Sequence, residues 1–334
     1  MKNISLNPVQ KAAWSLMKND LQFLYTIIKN QKIATASYYV ALIPFMGLII
    51  DGVEDWIKSY NNSSSNKLAL PTFNDTERIY YEEMRKAIKL YDKSYKELYV
   101  QLENAFKKSD NYFSSCCKPL AKYMHLYDIY GVFTCNAIPC DNTLLNQCIT
   151  PFFEYGKIDG EKIKEIAHIG GEYIALFDAC YEYKVDATFV FDTTDYGGFV
   201  KSPLGKHFNH KYVLFSILCQ LNFVLYGINK FVSEETTTKL RLSYILYYYL
   251  LKIIPDTNKA LNLNLKINNT YNSDGFRNAM AHYKLGVALK ETEIINDVYM
   301  YGLTEKFFGI DYQHLKAGIL QELEKLKNQI SDLL

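Results

Sequence analysis

The stretch 275–286 reads GFRNAMAHYKLG and sets an arginine, an asparagine and a histidine within six residues, Arg277, Asn278 and His282. Arginine is scarce in this chain. Lysine is the ordinary cation, and the arginines are Arg78, Arg85, Arg241 and Arg277. A solvated helix face would have used lysine here. In a helix each residue turns by about 100°, so Asn278 and His282 share a face one turn apart, with Arg277 beside them. Histidine accepts and donates a proton near neutral pH. A guanidinium holds a phosphate bidentately and stabilises the charge that builds on it in a transition state. The start of the helix adds a positive dipole and free N–H groups. Together these describe a site for acid–base chemistry at a phosphate. RNA brings its own nucleophile, the 2′-hydroxyl, so such a site needs neither metal nor cofactor. The plain structural reading of the pair is a surface arginine beside a half-buried histidine.

A helical scaffold must position these residues, and the hydrophobic pattern predicts one. Asn7-Pro8-Val9-Gln10 is a helix start, with Asn7 as cap and Gln10 reaching back. A second helix is expected over 34–58, bent at Pro44, and NNSSSN at 61–66 reads as a flexible linker. Tyr81, Met84, Ile88, Tyr91, Tyr95, Leu98 and Leu102 alternate spacings of three and four, which predicts one long bundle helix over 75–108. The pattern from 109 to 150 is irregular and cysteine-rich; 159–183 reads helical. The segment 185–200, VDATFVFDTTDYGGFV, alternates like a strand and ends in a Gly-Gly turn, so one short hairpin is expected there. Helices follow over 211–230, from Ser233 to about Ile254, over 273–284 for the motif with Gly286 as its stop, and from Asp311 to the end. The fold class expected is mainly α, built of helical bundles. The Gly-Gly turn and Pro203 mark an internal boundary, giving an N-terminal helical region at 1–200 and a helical domain at 206–334.

Composition bounds the function. The 334 residues are 49% hydrophobic, enough to bury a sizeable core, and tyrosine is common at 29 residues. The net charge of +1 excludes a global field for polyanions, so any nucleic-acid binding must come from a local cluster of lysines. The N-terminus shows no apolar signal core, and seven cysteines point to free thiols in a reducing cytosol, so a cytoplasmic location is expected. The apolar runs at 34–50, 212–228 and 242–255 read better as buried helices than as membrane spans.

Other constellations are weaker. His207 and His210 in GKHFNHKY have a metal-like spacing without a third ligand nearby; with Lys206 they read better as a basic face that touches RNA, as does Lys284. Cys116, Cys117, His125, Cys135, Cys140 and Cys148 match no standard zinc spacing and read as buried free thiols. The aspartates of DTTDYGG (192–198) read as turn residues.

RNAMAH (277–282) resembles the signature of the HEPN superfamily: an arginine, a polar residue that is often asparagine, a short spacer and a histidine. The resemblance implies an all-helical C-terminal bundle over 206–334 with the motif on an internal helix. It implies a metal-independent endoribonuclease with Arg277 and His282 catalytic and Asn278 supporting them. Relatives of this kind occur in toxin–antitoxin pairs, abortive-infection proteins and RNA-guided CRISPR ribonucleases. The partners implied are an RNA substrate, a second copy of the chain, and an antitoxin, trigger or guide complex. One departure stands out. HEPN toxins paired with nucleotidyltransferase antitoxins carry a tyrosine one spacer after the histidine; here Tyr283 follows directly and Lys284 takes the later place. Two other classes stay open: a HEPN-like module that holds RNA or protein without cutting, and a membrane-associated helical protein.

Overall fold

The computed structural model describes residues 6–30, 36–149, 160–197, 211–283 and 289–334. The first helix, α1 (Pro8–Lys29), starts where the sequence signal stands: the Gln10 N–H donates to the Asn7 side chain at 2.8 Å, and the Asn7 N–H donates to Gln10 at 3.0 Å. Helix α2 (Ala36–Ser63) passes through Pro44 without ending. It also absorbs the first residues of the expected linker. Asn61 closes the turn beyond by exchanging two hydrogen bonds with the backbone of Leu68.

The long helix expected over 75–108 is two helices. Helix α3 (Asp75–Ala87) and α4 (Tyr95–Cys116) flank a single 3-10 turn, Leu90–Asp92. The apolar seam runs on through the break, with Met84, Leu98 and Leu102 all buried. What breaks the helix is polar. Ser94 caps α4 and Glu97 reaches back to the Ser94 N–H at 2.9 Å, a complete capping box. Asp92 turns away to Lys252 at 2.6 Å.

After α5 (Pro119–Tyr123), the cysteine-rich segment holds a hairpin of β1 (Asp128–Cys135) and β2 (Ile138–Asn142). Its two turn residues, Asn136 and Ala137, both have positive φ, 50° and 63°, the twist a two-residue hairpin needs. Helices α6 (Thr143–Ile149) and α7 (Gly160–Leu176) follow. Of the hairpin expected at 185–200, the residues up to Gly197 are described, and they form one strand, β3 (Phe191–Gly197), paired antiparallel to the distant β1 in the sheet order β2-β1-β3. Asp192 and Asp195 therefore lie in a strand and not in a turn. Phe191 stacks on Phe133 at 5.8 Å, a long-range contact that outweighs local pairing.

Helix α8 (Lys211–Asn222) continues as a π-helical stretch, Phe223–Ile228, then come α9 (Thr237–Leu261), α10 (Asp274–His282), α11 (Tyr299–Phe308) and α12 (Tyr312–Ser331). The protein is mainly helical with one small sheet. Among the described residues, Lys211–Ile228 is the helix long and apolar enough to cross a membrane, and 89% of it is buried inside the protein. The apolar residues from Tyr38 to Ile50 of α2 are likewise packed inward. One cluster of buried side chains takes members from α1 and α2 as well as α9, α10 and α12, on both sides of residues 200–206.

Candidate functional site

Helix α10 is held by its inner face. Phe276 and Met280 are fully buried, and the Phe276 ring meets Tyr244 and Phe308 at 4.6 and 5.0 Å. Arg277 and His282 are left facing outward, partly exposed. Ser273 caps the helix start by accepting from the Phe276 N–H. Asp274, in the same first turn, accepts from the Tyr248 hydroxyl. The start is thus already occupied. The motif pocket takes Arg277, Ala281 and His282 from α10 and nothing earlier, so the expected contribution of the helix start is not seen. The helix ends at His282, two residues before the expected 284. Tyr283 adopts the left-handed conformation, φ 42° and ψ 42°, and turns its ring inward.

That buried ring belongs to a charged network beneath the motif. The Arg241 guanidinium lies 3.9 Å from the Tyr283 ring centroid and, fully buried, pairs with Asp20 of α1 at 2.5 Å. The Tyr283 hydroxyl donates to the same Asp20 carboxylate. Arg241 Nε donates to the Met280 carbonyl, in the last turn of α10. Burial raises the Asp20 carboxyl above its usual range against the pull of Arg241, and burial lowers Arg241 to about 10. Desolvation outweighs attraction for both partners.

Above the network lies a pocket of about 200 Å³. His282 Nδ1 is 2.9 Å from Asp55 Oδ2 of α2. With Nδ1–H donating to the carboxylate, Nε2 is the free nitrogen, the tautomer a general base needs. That hydrogen bond holds the Asp55 carboxyl below its usual range. Asp51, one turn earlier, is pushed up by burial and by Asp55, against Arg85, whose guanidinium is 3.6 Å away. Arg277 Nη1 donates to Asn278 at 3.0 Å and Nη2 donates to the Tyr249 hydroxyl; its guanidinium sits 5.5 Å from the Tyr249 ring. Arg85, Lys86 and Lys89 complete the positive wall. Asn278 does not line the pocket and acts on Arg277 from behind.

The fit of α10 against α2 depends on Gly52. A Cβ there would lie 2.7 Å from the Ala281 carbonyl oxygen and 2.7 Å from the Tyr283 ring. Asp51, Asp55 and His282 bring ligand atoms within 4.8 Å of one another and could hold a divalent cation. In this arrangement Asp55 faces His282 and Asp51 faces Arg85.

Of the sequence candidates, Arg277 and His282 come together in one pocket. Lys206, His207, His210 and Lys284 lie outside the described residues. The cysteines are not uniformly buried: Cys116 and Cys180 are exposed, while Cys135, Cys140 and Cys219 are buried, with the Cys140 thiol beside those of Cys135 and Cys219. Sequence reasoning missed Asp55, Asp51, Arg85 and Tyr249. A signal existed for Arg85 and Arg241, since the same rarity that marks Arg277 applies to them. Three of the four arginines converge on this motif. Comparison of the chain with protein-family models, with curated proteins and with solved structures finds no match.

Proposed function

We propose that the chain is a metal-independent endoribonuclease of HEPN type. The observation that carries the reading is the shared pocket: Arg277 and His282 line it together, and Asp55 holds His282 Nδ1 so that Nε2 is free. His282 Nε2 takes the proton of a 2′-hydroxyl. The 2′ oxygen attacks the adjacent phosphorus, and the bond to the 5′ oxygen breaks. The products are a 2′,3′-cyclic phosphate and a 5′-hydroxyl. Arg277 and Arg85 neutralise the phosphorane charge. The leaving oxygen takes its proton from a second acid, for which the same histidine of a second copy is the proposed source. The HEPN resemblance places such an activity in phage defence or a toxin system, where an antitoxin, trigger or guide complex controls it. A cytoplasmic setting follows from the same reading.

One observation favours a second reading, a HEPN-like module that holds RNA without cutting. The Arg277 guanidinium already donates to Asn278 and Tyr249, as a structural arginine would. One experiment separates the two. Purified protein and end-labelled RNA are incubated in EDTA and the termini analysed. The nuclease yields cyclic-phosphate ends and spares RNA with 2′-O-methyl groups; the module leaves RNA whole. An absolute need for magnesium would instead assign Asp51, Asp55 and His282 to a metal centre and overturn the mechanism.

A further inference from the structure

The break between α3 and α4 opens a second cavity, of about 510 Å³, next to the motif pocket. Lys86 and Lys89 line both, so the two cavities adjoin across these side chains. Further from the motif the groove carries Lys93 and Lys108. Both act on the half-buried Cys148 thiol at its floor, against the burial that pushes the thiol up to about 12. Among the described residues Glu83 is the one acid lining the groove, and Lys86 pairs with it at 3.1 Å. Asp92, which could have neutralised this turn, points to Lys252 instead. The chain carries only +1 overall, so this local excess of cations is a departure from its average. Gln101 also lines the groove, and its buried Oε1 has no hydrogen-bond partner.

We propose that this groove carries the substrate strand on one side of the cut, with Lys89, Lys93 and Lys108 on successive backbone phosphates of single-stranded RNA. Lysines spaced along two adjoining cavities suit a polyanion that runs past them. The identity of the strand as substrate rests on the nuclease reading; the affinity of the groove for it does not.

The test uses the full-length His282→Ala protein, so that bound RNA stays intact, and a fluorescent single-stranded RNA read by anisotropy across a salt series. Lys93→Gln/Lys108→Gln is compared with Lys11→Gln/Lys259→Gln, which removes equal charge elsewhere. The groove pair should weaken binding on the order of tenfold. It should lower the slope of log K against log salt by about 1.4, from about 0.7 per lost phosphate contact on a single strand. The control pair should change affinity less than about twofold, the usual scale for exposed sites outside a contact. Equal binding by the two pairs overturns the groove. So does saturation by a mononucleotide with the same lysine dependence, since that marks a small-ligand site. Groove-dependent binding by a wild-type protein that never cuts supports the groove and defeats the nuclease reading. Cleavage with kcat/KM unchanged in the groove pair does the reverse.

Discussion

Replacing Asp20 by alanine is the sharpest test of how the motif helix is held. Asp20 is fully buried and accepts from both Arg241 and Tyr283. Its removal leaves a buried guanidinium without a counter-charge. Breaking one side of such a pair costs about 3–5 kcal/mol. Unfolding entropy of about 2.1 cal/mol/K per residue gives about 0.7 kcal/mol/K for a chain of this length, so Tm should fall by about 4–7 °C. Asp20→Leu/Arg241→Met, which removes both charges, should recover most of that loss, because a buried ion pair and an apolar pair of like size are near equal. The assay is thermal unfolding by circular dichroism at neutral pH. The Met280 carbonyl loses its Arg241 donor in the double variant, so RNA cleavage should recover less than Tm does. A fall of under about 1 °C in Asp20→Ala would refute the network, and with it the argument that Arg241 and Tyr283 fix the end of α10.

Arg277→Ala and His282→Ala should each reduce cleavage by a factor on the order of 10²–10⁴ with the helical spectrum unchanged; Arg277→Lys should fail largely too, since a point charge does not reproduce the fork. Asp55→Asn should lower kcat by less than His282→Ala and leave KM in place. Because His282 holds the Asp55 carboxyl below its ordinary 3.8, the stabilising contribution of that carboxylate is full above 3.8 and disappears only as pH falls through the lowered value. Cleavage in the neutral range should therefore show no limb from Asp55. Gly52→Ala should cost about 1–3 kcal/mol in urea unfolding and impair cleavage, since the new Cβ pushes α10 off α2. Asp141 is buried with its carboxyl pushed up to about 7, so between 3.8 and 7 ionisation favours the unfolded chain. Asp141→Asn should then stabilise the fold by a few kcal/mol at pH 8, at about 1.4 kcal/mol for each pH unit of that interval, and give no gain near pH 4.

Local signals in the sequence read well where one polar group decides the outcome. The Asn7 cap stands where the pattern puts it, and the last helix begins at Asp311 as expected, with that side chain as its cap. The 75–108 segment misleads because its seam is continuous in space while its backbone is not. The period of three and four survives a single 3-10 turn, and the S-x-x-E start at Ser94 is hidden inside it. β3 misleads for the opposite reason. Alternation marks a strand but does not say which strand it meets, and β1 lies more than fifty residues earlier. At the site, residue chemistry finds the two members that sit on one helix. Asp55 is invisible in the sequence because an aspartate on a helix face is ordinary, and only packing of α2 on α10 makes it the partner of His282.

The same packing bears on whether one copy of the chain suffices. Cutting RNA through its 2′-hydroxyl asks for a base, an acid and positive charge between them. The motif helix alone supplies too little, and a two-fold axis that sets two RNAMAH segments face to face would double the set. The fold changes the terms. Arg85 and Lys86 add charge from α3, and Asp55 holds His282, so on the proposed mechanism one copy lacks only a second imidazole. The apolar faces of α4 and α12 are packed within the chain. Leu98, Leu102, Leu315, Ile319, Leu323, Leu326 and Ile330 are all fully buried within the chain. The proposed homodimer would pair around the open side of the pocket, where a second His282 can reach the leaving oxygen. Light scattering should give about twice the 38.7 kDa chain mass, and specific activity should fall on dilution through the dissociation range. A monomer that cuts at undiminished specific activity would place the acid within the chain itself, on Lys86 or Lys89 at the pocket wall, and would remove the need for the axis while leaving Arg277 and His282 where they are.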